Sequence, residues 1–308
     1  MPAPDLSELV RISRLFGSDP EYVLGGGGNT SFKTASRLFI KGSGTSLAEI
    51  AAEEFVCLDR ALLRAMWERR YPDDPQAREA EVLEDLLASR EKGEEAKRPS
   101  VETPLHDFFD EAYVVHTHPS LVNGLACSAR GEETARELFG ERVLWIPAVN
   151  PGFQLAFTVR RAIEAYRKRH GRSPDILIIQ NHGLCVAGSG LEDLQAKSDF
   201  IMQTIRLRAG PLPAPGPAVF DRERAADLAP ALRMLMDESR GSILTFCALQ
   251  EWPAPRSLAL MPDYIVYCNH EPSIVPECKE LQEQYRLLEK VLADYRARNG
   301  FAPKIVIV

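Results

Sequence analysis

Two histidines, His116 and His118, close the apolar run Tyr113-Val114-Val115-His116-Thr117-His118, which stops at Pro119. Alternate residues of a strand project on one face, so the two imidazoles either chelate one metal ion or simply cap the strand. A first-row divalent ion suits such nitrogen donors, and zinc at catalytic centres takes three protein ligands and keeps a fourth position open. His182 ends a second apolar strand, Ile176-Leu177-Ile178-Ile179, at the polar turn Gln180-Asn181-His182-Gly183. Half of the chain's six histidines therefore stand where a sheet meets a loop. The others, His106, His170 and His270, lack that setting and read as structural or surface residues.

Two glycine-bearing loops come next. Gly25 to Gly28 precede Asn29-Thr30-Ser31. Thr30 stands where a dinucleotide fingerprint needs its third glycine, and the Lys-Ser/Thr ending of a P-loop is missing. Four glycines can still form a nest of backbone N–H groups for an anion, with Asn29, Thr30 and Ser31 as further donors. Lys41-Gly42-Ser43-Gly44 offers a second group, although either loop alone also reads as a tight hairpin. Glu102, in Pro99-Ser100-Val101-Glu102-Thr103-Pro104, precedes a helix whose early proline suits a first-turn position. It reads as an acid favoured by the helix dipole or as a general acid/base.

These residues need a scaffold. Periodicity predicts a helix from Asp5 to about Phe16 and short strands at Tyr22-Val23-Leu24, Arg37 to Ile40 and Phe55 to Leu58. Ser46 and Glu49 form a capping-box pattern that suits a short helix. Helices over about 60–70 and 76–90 lead to a charged loop, Glu91 to Arg98. After the first histidine strand come a strand at Arg142 to Ile146 and a helix from Phe153 to His170 closed by Gly171. Leu184 to Ala187 returns as a hairpin partner, and a helix follows over about 191–208. The expected organisation is a catalytic domain over 1–210, a Pro-rich linker over 211–219 and a C-terminal extension over 220–308. In the extension, two helices flank an expected strand, Asp263 to Tyr267. The stripe Cys278, Leu281, Tyr285, Leu288, Leu292, Tyr295 reads as a helix packed on its own domain or on a neighbouring subunit.

Composition removes several classes of function. The 308 residues carry a net charge of −7, which argues against a nucleic-acid footprint. No run approaches the length of a membrane helix, and the first residues lack a signal-peptide pattern. Six cysteines without a C-x-x-C pair read as reduced, mostly buried thiols. The expectation is an acidic, soluble, cytoplasmic globular protein with neither nucleic acid nor membrane as partner.

Taken in order, Gly27-Gly28-Asn29-Thr30-Ser31, Lys41-Gly42-Ser43-Gly44, Ser100-Val101-Glu102, His116-Thr117-His118-Pro119 and Asn181-His182-Gly183 resemble the class II aldolase/adducin family. The match is to its zinc-dependent sugar-phosphate aldolases and covers roughly residues 7–210. The remainder, ending in Pro303-Lys304-Ile305-Val306-Ile307-Val308, is similar to the end of the aldolase half in bifunctional rhamnulose-1-phosphate aldolase/alcohol dehydrogenase proteins. The resemblance implies an α/β fold: a three-layer α/β/α sandwich around a largely antiparallel sheet, plus a C-terminal α/β extension. It implies that His116, His118 and His182 hold Zn2+ or another first-row divalent metal and that Glu102 is the general acid/base. Gly28, Asn29, Ser31, Ser43, Gly44 and Ser100 would cradle the phosphate of a small-molecule sugar phosphate. The implied reaction splits a ketose 1-phosphate into dihydroxyacetone phosphate and an aldehyde, in a homo-oligomer with a tetramer favoured, beside a possible separate dehydrogenase. An epimerase, dehydratase or decarboxylase on the same metal site is the first rival, and an adducin-like non-catalytic scaffold the second.

Overall fold

Apolar side chains alternate along the strands so that both faces of one sheet are buried. The computed structural model describes residues 4–211, 220–236, 244–246, 261–268 and 271–308. The chain divides into two compact units, Met1–Gly210 and Pro211–Val308. The first holds strands β1 (Asn29–Lys33), β2 (Arg37–Lys41), β3 (Phe55–Asp59), β4 (Tyr113–Thr117), β5 (Leu144–Ile146), β6 (Ile176–Ile179) and β7 (Gly183–Gly188). Their order is β3-β2-β1-β4-β7-β6-β5. Every neighbouring pair is antiparallel except β5 with β6.

Residue parity decides which layer each side chain joins. Phe39, Cys57, Val115, Ile178 and Val186 share one core with Ile12 and Phe16 of helix α1 (Ser7–Ser18) and with Ile201 of a late helix, Leu191–Ala209. Their sequence neighbours face the opposite way. Val114, Leu177, Cys185 and Ala187 pack on Leu155, Val159 and Ile163 of the Phe153–His170 helix. Leu38, Ile40, Val56 and Leu58 pack on Leu63, Val82 and Leu86. Those three come from helices α2 (Arg60–Ala65) and α3 (Pro75–Ala88). Each such side chain contributes about 1.5–3 kcal/mol by leaving water, so the alternation fixes the three-layer α/β/α sandwich and its register together. Gly171, in the left-handed region at φ 69°, ends the Phe153–His170 helix.

Some local expectations fail for identifiable reasons. Tyr22-Val23-Leu24 is a turn, because the N–H groups of Tyr22 and Val23 both donate to the Asp19 carbonyl, at 3.0 and 3.1 Å. The Ser46–Glu49 segment is also a turn; Leu47 and Ile50 plug the core from it without a helical ladder. In the second unit, the expected strand Asp263–Tyr267 is a helix, Pro262–Cys268. Pro262 suits a first turn, and Tyr264 and Ile265 donate back to the Met261 carbonyl. Among the described residues, the strands of that unit are Ser273–Ile274 and Val306–Ile307, paired parallel. The helix Leu281–Asn299 lays Leu288 and Leu292 against Leu228 and Leu232 of the helix Arg222–Met236, within its own unit. Linker residues 212–219, Cys247 and His270 lie outside the described residues. The described cysteines are free thiols; Cys57 and Cys185 are buried, whereas Cys127, Cys268 and Cys278 are only partly so. No described helix is long and apolar enough to cross a membrane.

Candidate active site

Strand β4 lies in the middle of the sheet, paired with β1 on one side and β7 on the other. That register sets His116 opposite Asn29 and Cys185. The β6–β7 hairpin pairs Ile179 with Gly183, leaving Gln180, Asn181 and His182 as its loop. Asn181 takes the left-handed conformation there, with φ 56°, a region that asparagine tolerates better than most residues. A Cβ on Gly183 would sit 2.4 Å from the Thr117 carbonyl oxygen and 2.8 Å from the His118 ring. Only glycine lets the hairpin lie this close to the end of β4.

The outcome is a cluster of three buried imidazoles. Nε2 of His116 is 3.1 Å from Nε2 of His182 and 3.0 Å from Nε2 of His118. One nitrogen from each ring falls within a 4.8 Å circle of ligand atoms. Nδ1 of His116 donates to the Leu184 carbonyl at 3.0 Å, so its neutral ring presents a lone pair at Nε2. Lone pairs that face one another across about 3 Å repel unless a cation shares them. The carbonyl beside His116 also fixes its tautomer, as ligating histidines require. This donor set fits zinc or another first-row divalent ion.

Burial pushes the His116 imidazole down to about 3, with the Glu102 carboxylate opposing that and the neighbouring imidazoles adding to it. Burial, with His116 next to it, also takes His106 down to about 3. Both rings are therefore neutral in the folded protein at pH values where the unfolded chain, near 6.5, takes up protons. Stability rises with pH across that window. In chelator-treated protein, acidification from pH 7 to 5 is expected to cost about 2 kcal/mol for each ring. The urea midpoint should fall between pH 7 and 5 and stay level between 7 and 8.5. A midpoint unchanged at pH 5 would contradict the burial of neutral rings.

Glu102 caps the short helix α4 (Thr103–His106). Its Oε1 is 3.1 Å from Nε2 of His182 and its Oε2 is 3.5 Å from Nε2 of His116. On the other side, Nδ2 of Asn29 donates to Oε2 at 2.8 Å. The carboxylate thus touches the histidine cluster, and only 11% of its side chain is exposed. An acid that merely caps a helix would bond the first-turn N–H groups, and Glu102 makes no such bond.

The two loops of the expected phosphate cradle are arranged differently. Gly28 has φ 71°, and a Cβ there would lie 2.7 Å from the His116 carbonyl oxygen, so the glycine run passes tightly over β4. Gly42 bridges Pro99, and the Ser43 N–H donates to the Arg98 carbonyl at 2.7 Å, which ties this turn to the segment leading into Ser100. The Ser100 hydroxyl accepts the Glu102 N–H at 3.2 Å. Asn29 and Ser31 turn inward: the first bonds Glu102, and Ser31 Oγ lies 2.8 Å from Nδ1 of His106.

Sequence reasoning missed two contributors. Lys41 is buried and its ammonium donates to the carbonyls of Gly26 and Gly28, each at 3.0 Å, clamping the glycine loop. His106 is fully buried and bonds both Asn29 and Ser31. A signal for His106 existed in the period-two run Asn29, Ser31, Lys33. Polar residues repeating along one face of a buried strand need buried partners.

Comparison with known proteins places residues of the first unit in a family. Residues 7–207 match the family model described as Class II Aldolase and Adducin N-terminal domain. A Bacillus subtilis (strain 168) protein named uncharacterized oxidoreductase YuxG is 27% identical over 316 residues, covering 93% of this chain. The match occupies 44% of that protein, so the chain spans less than half of the relative's length. Among solved structures, the N-terminal class II aldolase domain of a conserved Thermoplasma acidophilum protein is 27% identical, with a TM-score of 0.57. It covers 68% of this chain and 96% of its own. An L-fuculose-1-phosphate aldolase from Thermus thermophilus matches at 16% identity with a TM-score of 0.42, over 67% of this chain and 95% of its own.

Proposed function

The chain belongs to the class II aldolase/adducin family, and on that premise we propose that it reversibly cleaves a ketose 1-phosphate into dihydroxyacetone phosphate and an aldehyde. One observation carries the reading: three imidazole Nε2 atoms converge with the carboxylate of Glu102 against two of them. His116, His118 and His182 would hold zinc or another first-row divalent ion, whose chemistry there is Lewis-acid polarisation of the substrate's carbonyl oxygen. When the bond between C3 and C4 breaks, C3 must take up a proton. Glu102, ionised at rest, is assigned that transfer: in cleavage it passes to C3 the proton that the C4 hydroxyl loses as the aldehyde forms, and in condensation it takes the C3 proton and returns one to the new C4 oxygen. Asn29 holds Oε2 of the carboxylate in place. Gly28, Ser43, Gly44 and Ser100 would take the phosphate and hold the substrate in a near-attack pose. Asn29 and Ser31 support the same loop with their polar atoms turned to Glu102 and His106. A homo-oligomer, a tetramer in the first instance, and a separate dehydrogenase that consumes the aldehyde belong to the same proposal.

The test combines metal analysis with product analysis on rhamnulose and fuculose 1-phosphates. Stoichiometric metal and release of dihydroxyacetone phosphate with an aldehyde are expected. Water loss or an epimer without aldehyde would overturn the aldolase reading in favour of a dehydratase or epimerase. Purified protein without zinc, cobalt or manganese would favour an adducin-like scaffold.

A further inference from the structure

A directed chain of hydrogen bonds ends on Glu102. A carboxylate only accepts, so the 2.8 Å contact with Nδ2 of Asn29 is a donation from the amide. Oδ1 of Asn29 then faces Nε2 of His106, and that nitrogen must carry the ring proton. Nδ1 of His106 is left as an acceptor and takes the Ser31 hydroxyl proton at 2.8 Å. Ser31 and His106 are fully buried, and Asn29 is 5% exposed. Lys33 completes the arrangement by donating to the His106 carbonyl at 3.1 Å. Thus three alternate residues of β1 grip the short helix whose ends carry Glu102 and His106.

We propose that His106 is a positioning residue: through the amide of Asn29 it fixes how the Glu102 carboxylate is presented to the histidine cluster. The physical reason lies in the symmetry of an amide. Rotated by half a turn, Asn29 would set Oδ1 against Oε2, acceptor against acceptor, and the carboxylate would swing away. The ring N–H of His106 forbids that rotation because it would then meet another donor. Buried polar chains of this kind matter as a unit, since removing one member leaves the rest unsatisfied.

The proposal rests on reading Glu102 as the acid/base, and its test keeps the two apart. Proton exchange at C3 of dihydroxyacetone phosphate in deuterated water reads the transfer by Glu102 without requiring the natural sugar. In metal-loaded full-length protein, His106→Phe is expected to lower the kcat of exchange roughly 10- to 100-fold, with little change in KM. His106→Gln, which keeps an N–H for Asn29, should recover most of that loss, whereas a purely structural role would track the thermal midpoints instead. A folded His106→Phe protein at wild-type kcat, or a His106→Gln protein as slow as His106→Phe, would overturn the proposal. Should His106→Phe fail to fold, nitrogen-15 spectra of the wild-type histidines decide, with His106 assigned by its absence in His106→Gln. The expected tautomer is Nε2–H, and an Nδ1–H tautomer overturns the chain. Wild-type protein that exchanges no substrate proton would instead bring down the aldolase reading.

Discussion

Glu102→Gln is expected to slow cleavage of a ketose 1-phosphate by roughly 10²- to 10⁴-fold while metal content and fold survive. The substitution keeps the shape of the side chain and an oxygen that can accept from Nδ2 of Asn29. It removes the carboxylate that takes up a proton and gives it back. Burial alone would raise the carboxyl's pKa, yet contact with the histidine cluster outweighs it and holds the group well below its ordinary range. Glu102 therefore stands ionised at neutral pH, ready to remove a proton in the condensation direction. Aldehyde formation measures kcat, and elemental analysis with a thermal midpoint reports metal and fold. Full turnover by Glu102→Gln would show that the proton moves through another group.

His116→Ala should produce the largest loss: stoichiometric metal disappears, and catalysis with it. The wild-type ring has no exposure and sits between the Leu184 carbonyl and the two other imidazoles. Truncating it removes the central ring of the proposed centre and leaves a hole, at a stability cost of about 3 kcal/mol. His118→Ala separates these effects, because His118 is 9% exposed at the strand end. It should lose the metal at a smaller cost to the fold. His170, whose ring packs on Tyr166 beside Glu141 and is not part of the histidine cluster, provides the control, and His170→Ala should bind metal normally. Unchanged metal content in both His116→Ala and His118→Ala would overturn the assigned centre.

Much of this was legible because the informative residues sit on simple periodicities. Two histidines at i and i+2 of β4 and one in the β6–β7 loop needed only the antiparallel pairing of β4 with β7 to meet. Phe153 to His170 was bounded by a glycine whose left-handed conformation is required. What escaped was anything set by tertiary partners. His106 looks like an isolated histidine in the chain, and its role exists only because β1 brings Asn29 and Ser31 alongside it. Lys41 looks like a member of an anion loop, whereas its ammonium is held by two backbone carbonyls. The helix Pro262–Cys268 has strand-like residues, Tyr264, Ile265, Val266 and Tyr267, whose propensity is overridden by the i→i−4 ladder behind Pro262.

The strand order β3-β2-β1-β4-β7-β6-β5 has a kinetic side. Strand β4 joins β1 and β7, partners remote from it in the chain, so the centre of the sheet closes only after long stretches of polypeptide have been gathered in. Such non-local topologies fold slowly. His116 and His182, the proposed ligands, sit on that late-closing seam, 66 residues apart. A slip of one residue between β4 and β7 would turn His116 to the opposite layer. Capture of a metal ion by all three histidines therefore rewards only the correct register, and the ion would act as a proofreader of the fold before it serves any substrate.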